Sequence, residues 1–572
     1  MELKLSSFHV RPIDKAFESG PDAGLLERIF AARGVREYEE LDRQLVHLLS
    51  PDLLDDINLA AERLVSAILA DELILIVGDY DADGATATVL AVSLLRALGC
   101  KHVDFLVPDR FEFGYGLSEE IVSIAANRNP DVIVTVDNGI SSAPGVEAAN
   151  VLGIDVIITD HHLPAKDLPA AKAIVNPNKP QCGFPSKNLA GVGVIFYLLS
   201  KVRSLLESKV WFNSRQRPNV ADWLDLVALG TIADVVTLDR NNRILVDQGL
   251  RRIRAGRTRP GIKALCEVSG KNLAAIEGSD LGFSLGPRLN AAGRLDDMTI
   301  GIKCLLEEDL ELANKYAKQL DRLNKSRREI ESSMVNDAEL ILAGLSETQT
   351  NKNGLCIFDS SWHQGVVGIL AGRLKDRFYR PVIAFAPAGD GSPGELKGSA
   401  RSIPNFHIRD TLEAIAARYP GMITKFGGHA MAAGITLRRI NYERFAKAFD
   451  DQVKATISPE LLERQVYTDG ELDSYEFKLE NAKKIAAAGP WGQGFPEPLF
   501  EGTFYLVSQR IVGEHHLKLV VRKDDLLIDG IAFRQKPIPD AESVRLIYRL
   551  EENDYRGSQT LQLIVEHIFT LE

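Results

Sequence analysis

The stretch Leu73–Gly84, LILIVGDYDADG, constrains the fold more than any other part of the chain. Leu73, Ile74, Leu75, Ile76 and Val77 form an unbroken apolar run ending at Gly78, the pattern of a strand buried on both faces. Asp79, Asp81 and Asp83 follow at once, and Ala85–Leu98 then has the apolar spacing of a helix packed on a sheet. Such a strand, acidic turn and helix belong to an open parallel sheet, which binds ligands at the carboxyl ends of its strands. Three carboxylates in five residues repel one another unless a cation neutralises them. Hard divalent ions such as Mg²⁺ and Mn²⁺ prefer oxygen donors of this kind. A solvated Asp-rich turn is the competing reading, and the rest of the chain decides between them.

The acidic strand end recurs. Asp131–Val136 leads to Asp137-Asn138-Gly139, and Val156–Thr159 leads to Asp160-His161-His162. A third apolar run, Leu226–Ala233, leads to Asp234. Strand candidates at Leu73–Val77, Val103–Val107, Val132–Val136 and Val156–Thr159 alternate with helical patterns, the mark of a doubly wound parallel sheet. Successive strands ending in Asp or Asp-His-His line up those side chains along one sheet edge, which a solvated turn gives no reason for.

At 572 residues the chain is too long for one core, so three or four domains are expected. Leucine, isoleucine and valine spacing in Leu25–Leu54 and Leu59–Leu69 predicts a helical region before Asp71. Residues 170–305 are helix-rich, broken by the loop VNPNKPQCGFP, and Leu305–Leu345 reads as one long charged helix connecting two lobes. A second α/β pattern starts at Leu355-Cys356-Ile357-Phe358 and runs to about residue 450, with a tight exposed turn at Asp390–Gly394. From about residue 465 come short alternating strands at Thr503–Val507, Leu517–Val521, Leu526–Phe533 and Val544–Leu550. They predict a small β-barrel, with a five-stranded oligonucleotide-binding barrel as one candidate.

Composition narrows the function. The five cysteines are scattered with no CxxC pair, which argues against a disulfide framework or a thiolate zinc site and fits a reducing cytoplasm. No stretch is long and apolar enough to span a bilayer, and Met1-Glu2-Leu3-Lys4 does not begin a secretory signal, so no membrane contact is expected. A net charge of −12 speaks against attraction of nucleic acid over the whole surface while leaving room for a local basic groove. Neither a Walker A loop nor a Rossmann fingerprint occurs, which disfavours an ATP-driven motor.

DYDADG, VDNG and DHH in this order resemble the DHH phosphoesterase superfamily, whose members share a two-metal site. GTIADVV (Gly230–Val236), GPRLNAAGR (Gly286–Arg294), SWHQGVVGILAGRL (Ser361–Leu374), KGSARS (Lys397–Ser402) and FGGHAMAAG (Phe426–Gly434) further resemble the RecJ family of single-strand-specific 5′→3′ DNA exonucleases. That likeness runs from about residue 70 to beyond residue 500. After the N-terminal helical region (1–70) read from residue spacing, it implies a parallel-sheet α/β DHH domain (71–305) and a connecting long helix (306–345). An α/β DHHA1 domain (346–455) and a domain resembling the OB-fold (456–572) complete the multidomain α/β architecture.

The resemblance implies Asp81, Asp83, Asp137, His161 and Asp234 as ligands of two Mn²⁺ or Mg²⁺ ions, with Asp137 as the bridge. It places His162 over the scissile phosphate and makes His162, Asp137 and Asp83 the catalytic group, with Asp160 orienting the histidines. Many relatives carry a histidine four residues before the position of Asp81, where this chain has Val77. Either Asp79 joins the metal ligands instead, or the first metal site is more open. Two ions about 3.5–4 Å apart would clamp the attacking and leaving oxygens of an in-line displacement.

Strand binding is expected from Gly427-Gly428-His429, where backbone can approach a phosphate, and from Ser399 and Arg401, a hydroxyl and a bidentate guanidinium suited to a terminal phosphate, which the resemblance implies is that of the 5′ end. Arg110, Arg288 and Arg294 are further phosphate candidates, and Phe111, Phe113 and Tyr115 are either base-stacking platforms or core. The run Arg251, Arg252, Arg254, Arg257 and Arg259 is either a DNA-facing ridge or a solvated face. The resemblance implies action on single-stranded DNA, with a single-strand-binding protein and a RecQ-type helicase as partners in recombination and repair, and a monomer is expected. A phosphodiesterase of short oligoribonucleotides or cyclic dinucleotides is the alternative enzyme, and a non-catalytic nucleic-acid scaffold the alternative outside catalysis.

Overall fold

The apolar run before the aspartates forms a strand with every residue buried, and the site is built outward from it. The computed structural model describes residues 7–13, 24–108, 116–165, 167–343, 352–389, 394–513, 515–539, 541–555 and 558–571. They fall into two units, Phe8–Gly286 with Val466–Glu572, and Pro287–Gln465.

The first unit opens with β1 (Ser7–Val10), α1 (Leu25–Ala31) and α2 (Ile57–Leu69). The helix expected over Leu25–Leu54 stops at Ala31. Gly34 has φ +75°, and three short 3₁₀ turns at Tyr38–Leu41, Leu45–His47 and Pro51–Leu53 fill the remainder. A three-residue apolar spacing suits a 3₁₀ turn as well as an α-helix, and Pro51 begins one of these turns.

Five parallel strands follow: β2 (Ile74–Gly78), β3 (Val103–Leu106), β4 (Val132–Val136), β5 (Asp155–Thr159) and β6 (Ala173–Val175). Between them run α3 (Ala82–Ala97), α4 (Glu119–Ala126) and α5 (Ala143–Val151). The spatial order is β3-β2-β4-β5-β6. The chain leaves β2 toward β3 and then returns to its other side as β4, so the order reverses between β2 and β4. That reversal is the crevice where open parallel sheets bind ligands. β6 has only three residues, too few to give a strand pattern, and had no counterpart in the sequence reading.

Helices α6 (Gly191–Ser208), α7 (Leu224–Ala233), α8 (Arg240–Arg254) and α9 (Pro260–Ser269) complete the lobe. The run before Asp234 is therefore a helix and not a strand. From Leu224 to Thr231 every residue of α7 is buried, so the run carries no periodicity by which a strand could be told from a buried helix.

The second unit holds a 34-residue helix, Leu310–Ala343, whose Met334, Ala338 and Leu342 enter an apolar core with Val366, Leu370 and Val382. Its sheet comprises β7 (Leu355–Phe358), β8 (Val382–Pro387), β9 (Glu395–Arg401), β10 (Lys425–Gly428) and β11 (Ala432–Arg438). Their order is β10-β11-β9-β8-β7, with only β7 and β8 parallel. Of the turn expected at Asp390–Gly394, residues 390–393 lie outside the described residues.

After β12 (Gln465–Thr468) and the helix Leu479–Ala488, the first unit closes with a barrel. β13 (Phe500–Val512), β14 (His516–Lys523), β15 (Leu526–Ala532), β16 (Ser543–Tyr555) and β17 (Ser558–Leu571) close in the order β13-β14-β15-β17-β16. Phe500, Phe504, Leu519, Val544, Tyr548 and Leu563 fill it. The multidomain α/β architecture with a terminal five-stranded barrel agrees with the sequence expectation. Among the described residues, no helix is long and apolar enough to cross a membrane.

Candidate metal centre and phosphate site

Asp79, Asp81 and Asp83 leave the carboxyl end of β2, and Asp137 leaves that of its neighbour β4, so they flank the reversal in strand order. Asp160, His161 and His162 leave β5, the next strand along. Each position is fixed by local backbone chemistry. Asp81 caps α3, accepting from the Asp83 N–H at 2.9 Å and the Gly84 N–H at 3.0 Å. Asp137 holds a left-handed φ of +63° while its N–H donates to the Thr159 carbonyl at 3.0 Å. Asn138 ties the two strand ends together, donating to the carbonyls of Val77 at 3.1 Å and Val136 at 2.9 Å.

Asp83 is held from another element. The first N–H groups of α6, from Gly191 and Val192, donate to its two oxygens at 2.6 and 2.9 Å, so a carboxylate sits at a helix N-terminus. Gly191 leaves no room for a side chain, since an added Cβ would lie 2.5 Å from the Cβ of Asp137 and 2.7 Å from its Oδ1. On α7, a Cβ on Gly230 would meet Asp83 Oδ1 at 2.9 Å. The sequence reading missed the positioning roles of Gly191, Val192 and Gly230. The available signal was the pair of glycines opening a helix in LAGVGV.

The donor atoms converge. His161 Nε2 lies 3.1 Å from Asp137 Oδ1, 3.5 Å from Asp234 Oδ2 and 4.0 Å from Asp83 Oδ2. Three overlapping sets each place their donor atoms within 4.8 Å of one another: Asp79, Asp81 and Asp137; Asp83, His161 and Asp234; and Asp137, His161 and His162. All seven side chains singled out as ligands or catalytic groups thus come together in one unit. Val77 is packed in the apolar core beneath the sheet, whereas Asp79 stands within the carboxylate group.

The electrostatics favour a cation. Burial first, then the neighbouring Asp81, push the Asp83 carboxyl up to about 7, against the lowering effect of its two backbone donors. Burial and then Asp83 and Asp81 raise Asp137 and Asp234 well above the usual carboxylate range. Without a cation this cluster takes up protons, and oxygen-rich donors with one or two imidazoles suit Mn²⁺ or Mg²⁺. Asp160 behaves differently. Although burial would raise it, the hydrogen bond with His162 Nδ1 at 2.7 Å holds its pKa below the usual value. Burial alone would lower His162, but that same partner lifts it to about 9. Asp160 also accepts from the N–H groups of Ile140, His161 and His162, as expected of a residue that orients the histidines.

A separate group forms within the second unit. Ser399 and Arg401 lie on one face of β9, with Arg401 donating to Ser399 Oγ at 2.9 Å. Both reach the first turn of the helix Val367–Phe378, where a Cβ on Gly368 would stand 3.0 Å from Arg401 Nη2 and 3.1 Å from Ser399 Oγ. Across the sheet Ser399 is registered with Gly434, and Gly434 with Gly427. Gly427 has open space where a side chain would stand, and the His429 N–H closes the hairpin on Ala432 at 2.7 Å. Arg294 borders the same helix start, with Nη1 3.5 Å from the Gly365 carbonyl.

Other arginines turn out differently. Arg288 is buried against Asp321, at 3.0 Å through Nε and 2.8 Å through Nη2, so it serves the interior and not a strand. The run from Arg251 is no single ridge: Arg251 pairs with Asp247, Arg254 with the Ile276 carbonyl, and Arg259 with fully buried Asp225. Arg110, Phe111, Phe113 and Tyr115 lie outside the described residues.

Comparison with known proteins identifies the domains. The DHH family N-terminal domain matches residues 73–231, the DHHA1 domain 351–455 and the RecJ OB domain 468–567. The chain is 52% identical over 556 residues to the single-stranded-DNA-specific exonuclease RecJ of Escherichia coli, covering 96% of each chain. It is 49% identical to RecJ of Haemophilus influenzae, covering 97% of each. The crystal structure of RecJ from Thermus thermophilus in complex with Mn²⁺ matches with a TM-score of 0.81 at 28% identity, over 99% of this chain and 79% of that one. A Mg²⁺ complex of the same protein matches with a TM-score of 0.75.

Proposed function

The chain belongs to the RecJ family of single-stranded-DNA-specific exonucleases, and from that premise we propose how it works. It hydrolyses single-stranded DNA from the 5′ end, releasing 5′-mononucleotides in recombination and repair, with two divalent ions, Mn²⁺ or Mg²⁺, as cofactors. The reading rests above all on the convergence of Asp79, Asp81, Asp83, Asp137, His161 and Asp234 at the β2–β4 crevice. Asp137 belongs to both the carboxylate set and a histidine set, which supports it as the shared ligand. Asp79, Asp81 and Asp137 would hold one ion, and Asp83, His161 and Asp234 with Asp137 the other. Ions held by these residues would supply positive charge to the scissile phosphate and would lower the pKa of the attacking water.

The chain's own groups do the rest. His162, held through Nδ1 by Asp160, would donate from its other ring nitrogen to a phosphate oxygen as negative charge builds on it. Buried Asp160 fixes the ring. Arg401, Ser399 and the start of the helix Val367–Phe378 receive the 5′ phosphate, with Arg294, Gly427, Gly428 and His429 lining its approach, because a helix N-terminus and a guanidinium both favour an anion. The protein acts as a monomer in the cytoplasm, with a single-strand-binding protein and a RecQ-type helicase as partners. Its terminal barrel favours a long strand over the short oligoribonucleotides of the alternative phosphodiesterase reading.

The test uses long single-stranded DNA labelled at one end or the other. With Mn²⁺ or Mg²⁺ present, early release of the 5′-terminal nucleotide is expected, with none in chelator and none on blunt duplex. Release from the 3′ end first, or cleavage of dinucleotides alone, would refute the reading.

A further inference from the structure

Directly after Asp234 the chain takes an unfavourable shape. Val235, a β-branched residue, sits in the left-handed region at φ +59° and is exposed. Such a conformation persists only where the flanking chain is held in place. α7 holds one side. On the other side, Val235–Asp239 is gripped by a segment more than two hundred and fifty residues later, the turn Gly492–Phe495 that leads into the barrel.

The grip consists of specific contacts. The Leu238 N–H donates to the Gln493 carbonyl at 2.7 Å. Gly494, at φ +72°, packs so closely that an added Cβ would lie 2.5 Å from Thr237 Cγ2. Buried Arg243 of α8 donates to the Leu238 carbonyl at 3.0 Å and lays its guanidinium over the Phe495 ring at 4.3 Å. Asn242 donates to the Thr237 carbonyl at 2.9 Å. The turn is itself braced, since Gly492 and Phe495 exchange backbone hydrogen bonds at 2.9 and 3.1 Å. Trp491 and Phe495 stack at 5.2 Å, with Phe30 of α1 6.1 Å from Trp491 and Arg33 5.3 Å above it.

We propose that the turn Gly492–Phe495 is a positioning element of the metal centre, fixing Asp234 through the Thr237–Leu238 backbone. The barrel's lead-in thus sets metal affinity as well as carrying the strand-binding domain. The inference rests on the reading of Asp234 as a metal ligand, so the test measures both.

Mn²⁺ binding to the full chain, without DNA, is followed by the electron paramagnetic resonance of free Mn²⁺. Asp234→Asn reports the ligand reading: affinity equal to wild type would remove that reading, and this inference with it. Gly494→Ala is expected to weaken Mn²⁺ binding about tenfold, as loss of groups that orient a ligand does. Adding Thr237→Ser, which deletes the Cγ2 that the new methyl meets, is expected to recover most of that loss. Gly470→Ala serves as control. It has a similar φ of +87°, but its nearest neighbour atom stands 3.8 Å from the added Cβ, on Val10, so binding should stay within about twofold. Wild-type affinity in folded Gly494→Ala, or an equal loss in Gly470→Ala, overturns the proposal while leaving Asp234 a ligand. Should Gly494→Ala not fold, Phe495→Leu carries the same test. Weakened binding in it supports the proposal, and wild-type affinity overturns it.

Discussion

Asp83 is the residue where the conflict between burial and charge is sharpest, because it is almost wholly enclosed and faces Asp81. Its folded-state pKa of about 7 lies above the ordinary 3.8, so protonation favours the folded chain. That contribution is complete below the ordinary value and disappears as pH rises through about 7. A bound divalent ion takes over the neutralising role of the proton, which makes the metal matter most where the proton has left. Chelated protein should therefore melt lower at pH 8 than at pH 6, and the gap between Mn²⁺-loaded and chelated protein should widen over that range. Each kcal/mol corresponds to about 2–4 °C for domains of 150–250 residues, so differential scanning fluorimetry resolves the effect. A gap that stays constant between pH 6 and pH 8 would contradict it. The acidic motif around Asp83 stood out only beside the further strand ends at Asp137 and Asp160-His161-His162, since alone it reads as well as a solvated turn. Its partners at Gly191 and Val192 were not, since a backbone N–H offers no letter to read in a sequence.

At the scale of elements, the sheet edge brings together most of the side chains proposed as ligands, but one of them, Asp234, follows a helix. β2, β4 and β5 gave continuous apolar runs that read correctly as strands, because both faces of a parallel sheet are covered. α7 gave the same kind of run for a different reason, being enclosed on all sides by α3, α6 and α8. Composition cannot separate those cases. The reversal of order between β2 and β4 was equally invisible, since it depends on which side of β2 each crossover packs. The N-terminus of α6 is what joins the two halves of the crevice, donating to Asp83 from β2 and crowding Asp137 from β4. Gly191→Ala should therefore damage both at once, with about a hundredfold loss of nuclease activity, the upper end for groups that orient metal ligands. Mn²⁺ binding should fall with it. Gly193→Ala, whose added methyl would meet only the movable end of Leu189 at 3.2 Å, should stay near wild type. Equal behaviour of the two variants would mean that α6 does not set the crevice.

For the whole molecule, the question is how one metal site acquires a direction along the strand. Hydrolysis alone has no polarity, because every phosphodiester bond of a strand presents the same chemistry to the ions. Polarity needs a second set of groups that accepts one kind of chain end and rejects the interior. In the function proposed above, Arg401, Ser399 and the start of the helix Val367–Phe378 in the second unit would serve as that set, since a guanidinium and a helix start both favour a doubly charged phosphate. Motif spacing disclosed the residues, but their meeting at a helix start depends on the register of β9 with β8 and β11, which no local pattern encodes. Charge-assisted hydrogen bonds contribute about 1.5–3 kcal/mol each, so Arg401→Ala should slow digestion of a 5′-phosphorylated strand by at least about tenfold. A 5′-hydroxyl strand lacks the anion that Arg401 would grip, and its slower digestion should change by less than about threefold. The variant would thus treat the two ends nearly alike, as initial rates on matched oligonucleotides would record. An equal fractional loss on both would place Arg401 in general strand binding and leave direction to be set by other residues, with the metal-centre assignments untouched.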